Sequence, residues 1–220
     1  MKKVLLTILA GMFMIGSAYA QPSFTVGLAF NKGVFAAEGR EENFDESGTL
    51  KSVTEEYGAF EDSYASIYVE VGNEVGSIGL AYQDDVATPT NVNETNADDG
   101  GASTATSTVS ADFSGVITLY GLVNLPLNTY LKAGIVQGDI AINETQRSGN
   151  TYKDQDLEGY VLGFGYQHEA AEANIRVELL GHTYDDVETN NGVATTGNHN
   201  KVRISNMIGA NAQISVNRSF

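Results

Sequence analysis

Eight separate stretches of the chain alternate apolar and polar residues with a period of two, which commits most of its length to β-strands. In the first stretch Phe24, Val26, Leu28 and Phe30 share one face, while Thr25, Gly27, Ala29 and Asn31 share the other. The same reading sets Ala65, Ile67, Val69 and Val71 against Ser66, Tyr68 and Glu70, and Ile78, Leu80 and Tyr82 against Ser77, Gly79 and Gln83. A fourth stretch sets Val109, Ala111, Phe113, Ile117, Leu119 and Val123 against Ser110, Asp112, Ser114, Thr118 and Tyr120. The fifth opposes Leu131, Ala133 and Ile135 to Lys132 and Gly134, with a parity switch to Ile140 and Ile142 that is read as a bulge near Gly138. In the sixth, Tyr160, Leu162, Phe164 and Tyr166 oppose glycines and Gln167; in the seventh, Ile175, Val177 and Leu179 oppose Arg176, Glu178 and His182. The last runs from Val202 to Phe220, with Arg203 on its polar face and Asn206 and Arg218 as polar interruptions of its apolar one.

The connections alternate in length. Tight turns are expected at 72–74, 124–128 and 168–172, and long polar connections at roughly 36–60, 84–107, 143–156 and 184–199, where most of the acidic residues fall. Four long loops at one end are unusual in a compact soluble domain but regular in a transmembrane β-barrel. The segment nearest to a membrane helix, residues 115–131, is interrupted by Asn124 and Pro126 and rich in β-branched residues.

The first 20 residues have a different character. Lys2 and Lys3 precede an apolar run from Val4 to Ile15, which closes on Ala18-Tyr19-Ala20. That order is read as a signal peptide over 1–20, too short to span a membrane, followed by one domain over 21–220. Loss of the two lysines takes the charge from −16 to −18, which argues against a nucleic-acid partner. The absence of cysteine rules out a disulfide framework and a lipid-anchored N-terminus.

Alternation alone fits either a soluble barrel with its apolar face inward or a membrane barrel with that face outward. The export signal favours the second, as do aromatics at strand ends on the apolar face: Phe24, Phe30, Tyr82, Tyr166 and Phe220. So do charges of both signs on the polar face: Glu70, Asp112, Lys132, Arg176, Glu178 and Arg203. A soluble ligand-binding barrel of the lipocalin kind remains an alternative, although the chain has no tryptophan for that family's Gly-x-Trp signature.

The C-terminal "QISVNRSF", with apolar residues alternating from Ile214 through Val216 to the terminal Phe220, resembles the signal read by the outer-membrane assembly machinery. Arg218 stands where that pattern usually has an apolar or aromatic residue. With this segment the chain resembles the small outer-membrane barrels of the OmpA-transmembrane-domain, OmpX and opacity-protein kind. The resemblance implies an all-β, eight-stranded antiparallel transmembrane barrel with short periplasmic turns and long external loops. It implies outer-membrane lipids, lipopolysaccharide and the barrel assembly machinery as partners, and Val216 and Phe220 as the assembly signal; the peptidoglycan-binding domain of the larger OmpA-type proteins is not expected here.

The six inward charges are expected to form a lumen network, because eight strands leave an interior just wide enough for side chains. A narrow pore is the alternative. Catalysis is not expected. A lipid A deacylase-like site needs a serine two positions after its histidine, whereas His182 is followed by Thr183 and Tyr184. The palmitoyl-transferring barrels open with an amphipathic helix, while "QPSFTVGLAF" enters a strand directly. No cofactor or metal site is expected: the acidic loops, densest over 38–57, lack regular cation-ligand spacing. They suit a surface-interaction or adhesion-like role with an extracellular partner. The two "NET" triplets at 93–95 and 143–145 are not read as glycosylation sites, and "LGFGY" is read as strand, not phosphate loop.

Overall fold

The computed structural model describes residues 22–45, 47–87, 91–96, 105–145, 152–170, 172–192 and 199–220. The signal-peptide reading of 1–20 and parts of the three later long connections lie outside these residues, and the side chains of both "NET" triplets are likewise not described. Among the described residues, all regular structure is β: β1 (Ser23–Phe44), β2 (Leu50–Gly72), β3 (Gly76–Gln83), β4 (Val86–Ala87), β5 (Asn91–Asn96), β6 (Ala105–Leu125), β7 (Thr129–Thr145), β8 (Gln155–Glu169), β9 (Asn174–Tyr184), β10 (Val187–Asn190) and β11 (Asn200–Ser219).

Every pairing is antiparallel, and the order β1-β2-β3-β6-β7-β8-β9-β11 returns to β1. β4 and β5 continue the place of β3 beside β6, and β10 continues that of β9 beside β11, so the wall has eight positions. Closure runs from Thr25 opposite Ser219 to Asn43 opposite Asn200. The terminal Phe220 is part of it: its N–H donates to the Phe24 carbonyl at 2.8 Å and its carbonyl accepts from Phe24 N–H at 3.1 Å. An open edge in hydrocarbon would leave such groups unpaired at several kcal/mol each.

The three tight connections lie at one end; at the first, Asn73 and Gly76 exchange both backbone hydrogen bonds. At the other end the strands reach well into the segments expected to be loops. β1 and β2 form one long hairpin that turns at residues 45–49. There the Asp45 carboxylate accepts from the Ser47 and Thr49 N–H groups, each at 2.9 Å, and from the Ser47 hydroxyl at 2.5 Å. These bonds, the Ser47 hydroxyl first, hold the Asp45 carboxyl below its ordinary range. A lowered carboxyl stabilises the tip above the ordinary carboxylate range and releases it as pH falls through the lowered value. Protection of the Ser47 and Thr49 amides, relative to their intrinsic exchange rates, is therefore expected to be present at neutral pH, to be lost as pH falls through the lowered value, and to be absent in Asp45→Ala.

Two expectations about strand faces are corrected. The bulge predicted near Gly138 on β7 lies across the ladder, on β6. The β6–β7 register gains one residue on β6 between Ser114 and Ile117, where Gly115 has φ +60°, while the β7–β8 ladder runs without a break. Ile140 points inward and is fully buried because the upper lumen is apolar. A second bulge lies on β11, whose register against β1 shifts between Ala36 and Glu38, and Asn206 there has φ 53°. Since side chains alternate, each extra residue turns everything above it to the other face.

Candidate functional site

The outer wall carries an apolar belt. Leu28, Ile67, Leu80, Leu162, Leu179 and Ile214 are all exposed, and aromatics border them: Phe24, Tyr166 and Phe220 toward the tight-turn end, Tyr82 and Tyr160 toward the other. Above the belt the same faces turn charged, with Lys32 and Glu61 paired at 3.9 Å. Inside, the side chains are polar below and apolar above.

The lower lumen brings together four of the six charges read from the sequence. Glu178 is 1% exposed, Glu70 3%, Lys132 6% and Arg176 8%. Arg176 Nη1 donates to Glu70 Oε1 at 2.7 Å, and its Nε to Gln167 Oε1 at 2.6 Å. Lys132 Nζ donates to Glu178 Oε2 at 3.1 Å, an oxygen that also accepts from Gln213 Nε2. Two anions thus meet two cations.

The sequence reading missed the tyrosines that complete this layer. Tyr120 donates to Glu70 at 2.9 Å and Tyr130 to Glu178 at 2.7 Å, while Tyr68 shares a hydrogen bond with Ser215 at 3.1 Å. Lys132 Nζ lies 4.1 Å from the centre of the Tyr120 ring, and Arg176 Cζ lies 5.8 and 5.5 Å from those of Tyr68 and Tyr130. Each ring lies over a glycine directly across the ladder: Tyr68 over Gly27, Tyr120 over Gly79 and Tyr130 over Gly165. A Cβ on any of the three glycines would stand 2.2–2.3 Å from a ring atom, so only glycine admits the ring at these positions. The signal was available: glycine and tyrosine both recur on polar faces, but which pairs meet depends on register.

Asp112 and Arg203 do not join the network, and the two bulges are the reason. Above Gly115, Ala111 and Phe113 pack inward, which puts Asp112 on the opposite face. Above Asn206, Ile204 packs inward and Arg203 is exposed, where it donates to Asp186 at 2.5 Å. That bond is the main reason the Asp186 carboxyl lies below its ordinary range.

The upper lumen holds a second layer made of Val116, Val136, Ile140, Leu157, Val187 and Met207, with Val161 and Leu180 at its base. Between the layers lies a cavity of about 30 Å³, walled in part by Asn31, Tyr64, Thr118, Lys132 and His182, with room for a water-sized group. His182 Nε2 meets Asn211 Oδ1 at 2.6 Å, Asn211 Nδ2 donates to Asn31 Oδ1 at 2.9 Å, and Asn31 Nδ2 donates to Ser66 Oγ at 3.2 Å. This run of amides makes Nε2 the protonated nitrogen. Near the C-terminus, Val216 faces outward in the belt, and Arg218 Cζ lies 5.4 Å from the Phe220 ring centre.

An apolar outer wall around an interior that buries a charged layer defines a membrane-spanning β-barrel of the outer-membrane type, since every backbone group in lipid must be paired internally. No protein-family model matches the sequence, and no curated protein does. Among solved structures, the outer membrane protein OprG from Pseudomonas aeruginosa aligns with a TM-score of 0.53 at 12% identity, over 92% of this chain and 98% of that one. The likeness is one of fold. The attachment invasion locus protein Ail of Yersinia pestis, in complex with the heparin analogue sucrose octasulfate, aligns at a TM-score of 0.38 and 7% identity over 87% and 99% of the two chains. The outer membrane protease OmpT of Escherichia coli aligns at 0.45 and 9% over 89% and 97%. Neither of these two bears on the reading below.

Proposed function

We propose that the protein is an integral outer-membrane barrel with a closed lumen, exported through the periplasm and serving a structural or adhesion-like role through its acidic external segments. The observation that carries this reading is the double filling of the interior, charged and tyrosine-rich below and apolar above. Outer-membrane lipids and lipopolysaccharide surround the belt, and the assembly machinery reads the strand that ends at Phe220. We read the role as non-enzymatic and without a cofactor: no serine stands two positions after His182, whose Nε2 is engaged with Asn211.

Planar-bilayer recording tests the closed lumen. The refolded protein is expected to insert without steady conductance, whereas reproducible channel steps would replace this reading by that of a narrow pore. The polar-walled cavity between the layers is the feature that favours the pore as second reading. Deletion of 38–57 tests the surface role: attachment of cells carrying the protein is expected to fall while the barrel still folds. Unchanged attachment would remove the adhesion-like role.

A further inference from the structure

Above the lipid belt, β2 has a partner on only one side among the described residues. Its ladder with β1 runs the full length of the hairpin, from Ser23 opposite Gly72 to Phe44 opposite Leu50. Its ladder with β3 stops at Ser66 opposite Gln83, with one further bond from Asp84 N–H to the Ala65 carbonyl at 3.0 Å. β4 and β5, which follow in the chain, pair with β6. By contrast β1 is paired on both sides as far as Asn43. Residues 50–59 are exposed throughout, on both faces of the ribbon. Among the described residues the β2 edge therefore holds extended backbone whose donors and acceptors have no strand partner, the geometry to which a further strand adds.

We infer that the β2 edge over residues 52–60 is a docking site for an extended basic peptide segment, which joins the sheet as an added strand. The inference rests on the surface-interaction reading above and names the partner's chemistry. Charge selects the occupant. Glu55, Glu56, Glu61 and Asp62 lie along or just below this edge; Arg40 answers Glu55 at 2.7 Å and Lys32 answers Glu61 at 3.9 Å. Glu56 and Asp62 have no cationic partner among the described residues. A second copy of this edge would bring like charges together, so self-pairing is disfavoured. Val53 and Tyr57 share one face with Glu55, and Tyr57 is 81% exposed. A segment with lysine or arginine alternating with β-branched or aromatic residues sets its cations beside Glu56 and Asp62 on one face and its apolar side chains beside Val53 and Tyr57 on the other.

The test uses the folded protein in detergent micelles and a labelled peptide alternating lysine with valine and threonine. A second peptide of the same sequence is N-methylated on three consecutive central amides, so that any register turns a methyl group toward the edge. Anisotropy is expected to show binding of the first peptide, and at least about tenfold weaker binding of the second. Glu56→Lys with Asp62→Lys is expected to weaken the first peptide by a similar factor, and its binding to slow amide exchange over 52–60. Equal binding of both peptides would reduce the interaction to charge alone and overturn the inference. So would absence of binding, or exchange protection at 52–60 before peptide is added, which would mean that residues 88–104 or a second copy already cover the edge. Loss of attachment on deleting 38–57 without peptide binding leaves the surface role standing and removes only the strand addition. Peptide binding with unchanged attachment does the reverse.

Discussion

Replacement of Lys132 by methionine is expected to lower the unfolding free energy of the barrel by roughly 3–5 kcal/mol, the usual cost of removing one member of a buried ion pair. Glu178 would keep its bonds from Tyr130 and Gln213 but lose its one ion-pair partner among the described residues, at a position 1% exposed. Neutral donors replace a charge poorly where water is excluded. The Lys132→Met, Glu178→Met double variant removes both charges and is expected to recover much of the loss, since an apolar pair of similar size leaves no carboxylate unanswered. Urea unfolding in micelles, followed by gel mobility with and without boiling, measures both. A single variant as stable as the parent would show that the charge pair does not hold the lower lumen together.

Gly79→Ala is expected to be about as damaging although it adds only one carbon. The new Cβ would stand 2.3 Å from Tyr120 Cζ, a separation at which the ring must leave. Tyr120 would then release Glu70, which it bonds at 2.9 Å, and uncover the ring face on which Lys132 lies at 4.1 Å. Overpacking costs about 1–3 kcal/mol and a lost bond to a buried carboxylate about as much again, so a loss near 4 kcal/mol is expected. Tyr120→Ala in the Gly79→Ala background removes the clash without restoring the bond and should recover only part of it. Gly39, whose nearest neighbour to an added Cβ lies 3.9 Å away, is the control: alanine there is expected to be tolerated. Equal effects at Gly79 and Gly39 would sink the steric account.

Period-two alternation was legible in the sequence wherever the wall faces lipid, because a bilayer demands apolar side chains there and a narrow lumen accepts polar ones. Placement of Glu70, Lys132, Arg176 and Glu178 on one face at one end followed from parity and from distance to the tight turns. Three things did not follow. Ile140 is apolar and faces inward, since the upper lumen is filled by residues of the kind that elsewhere face lipid; composition cannot separate two apolar environments. Asp112 and Arg203 face outward because single extra residues, at Gly115 and near Asn206, reverse the alternation above them. The tyrosines found their glycines only once hairpin register set Gly79 opposite Tyr120, a contact between residues far apart in the chain. The sequence by itself determined the eight wall strands, their lipid-facing sides and the charged lower lumen, each a local consequence of solvent and spacing. Tertiary structure alone decided which side chains line the upper lumen, which charges meet and where β2 lacks a partner among the described residues, because each depends on register between distant strands.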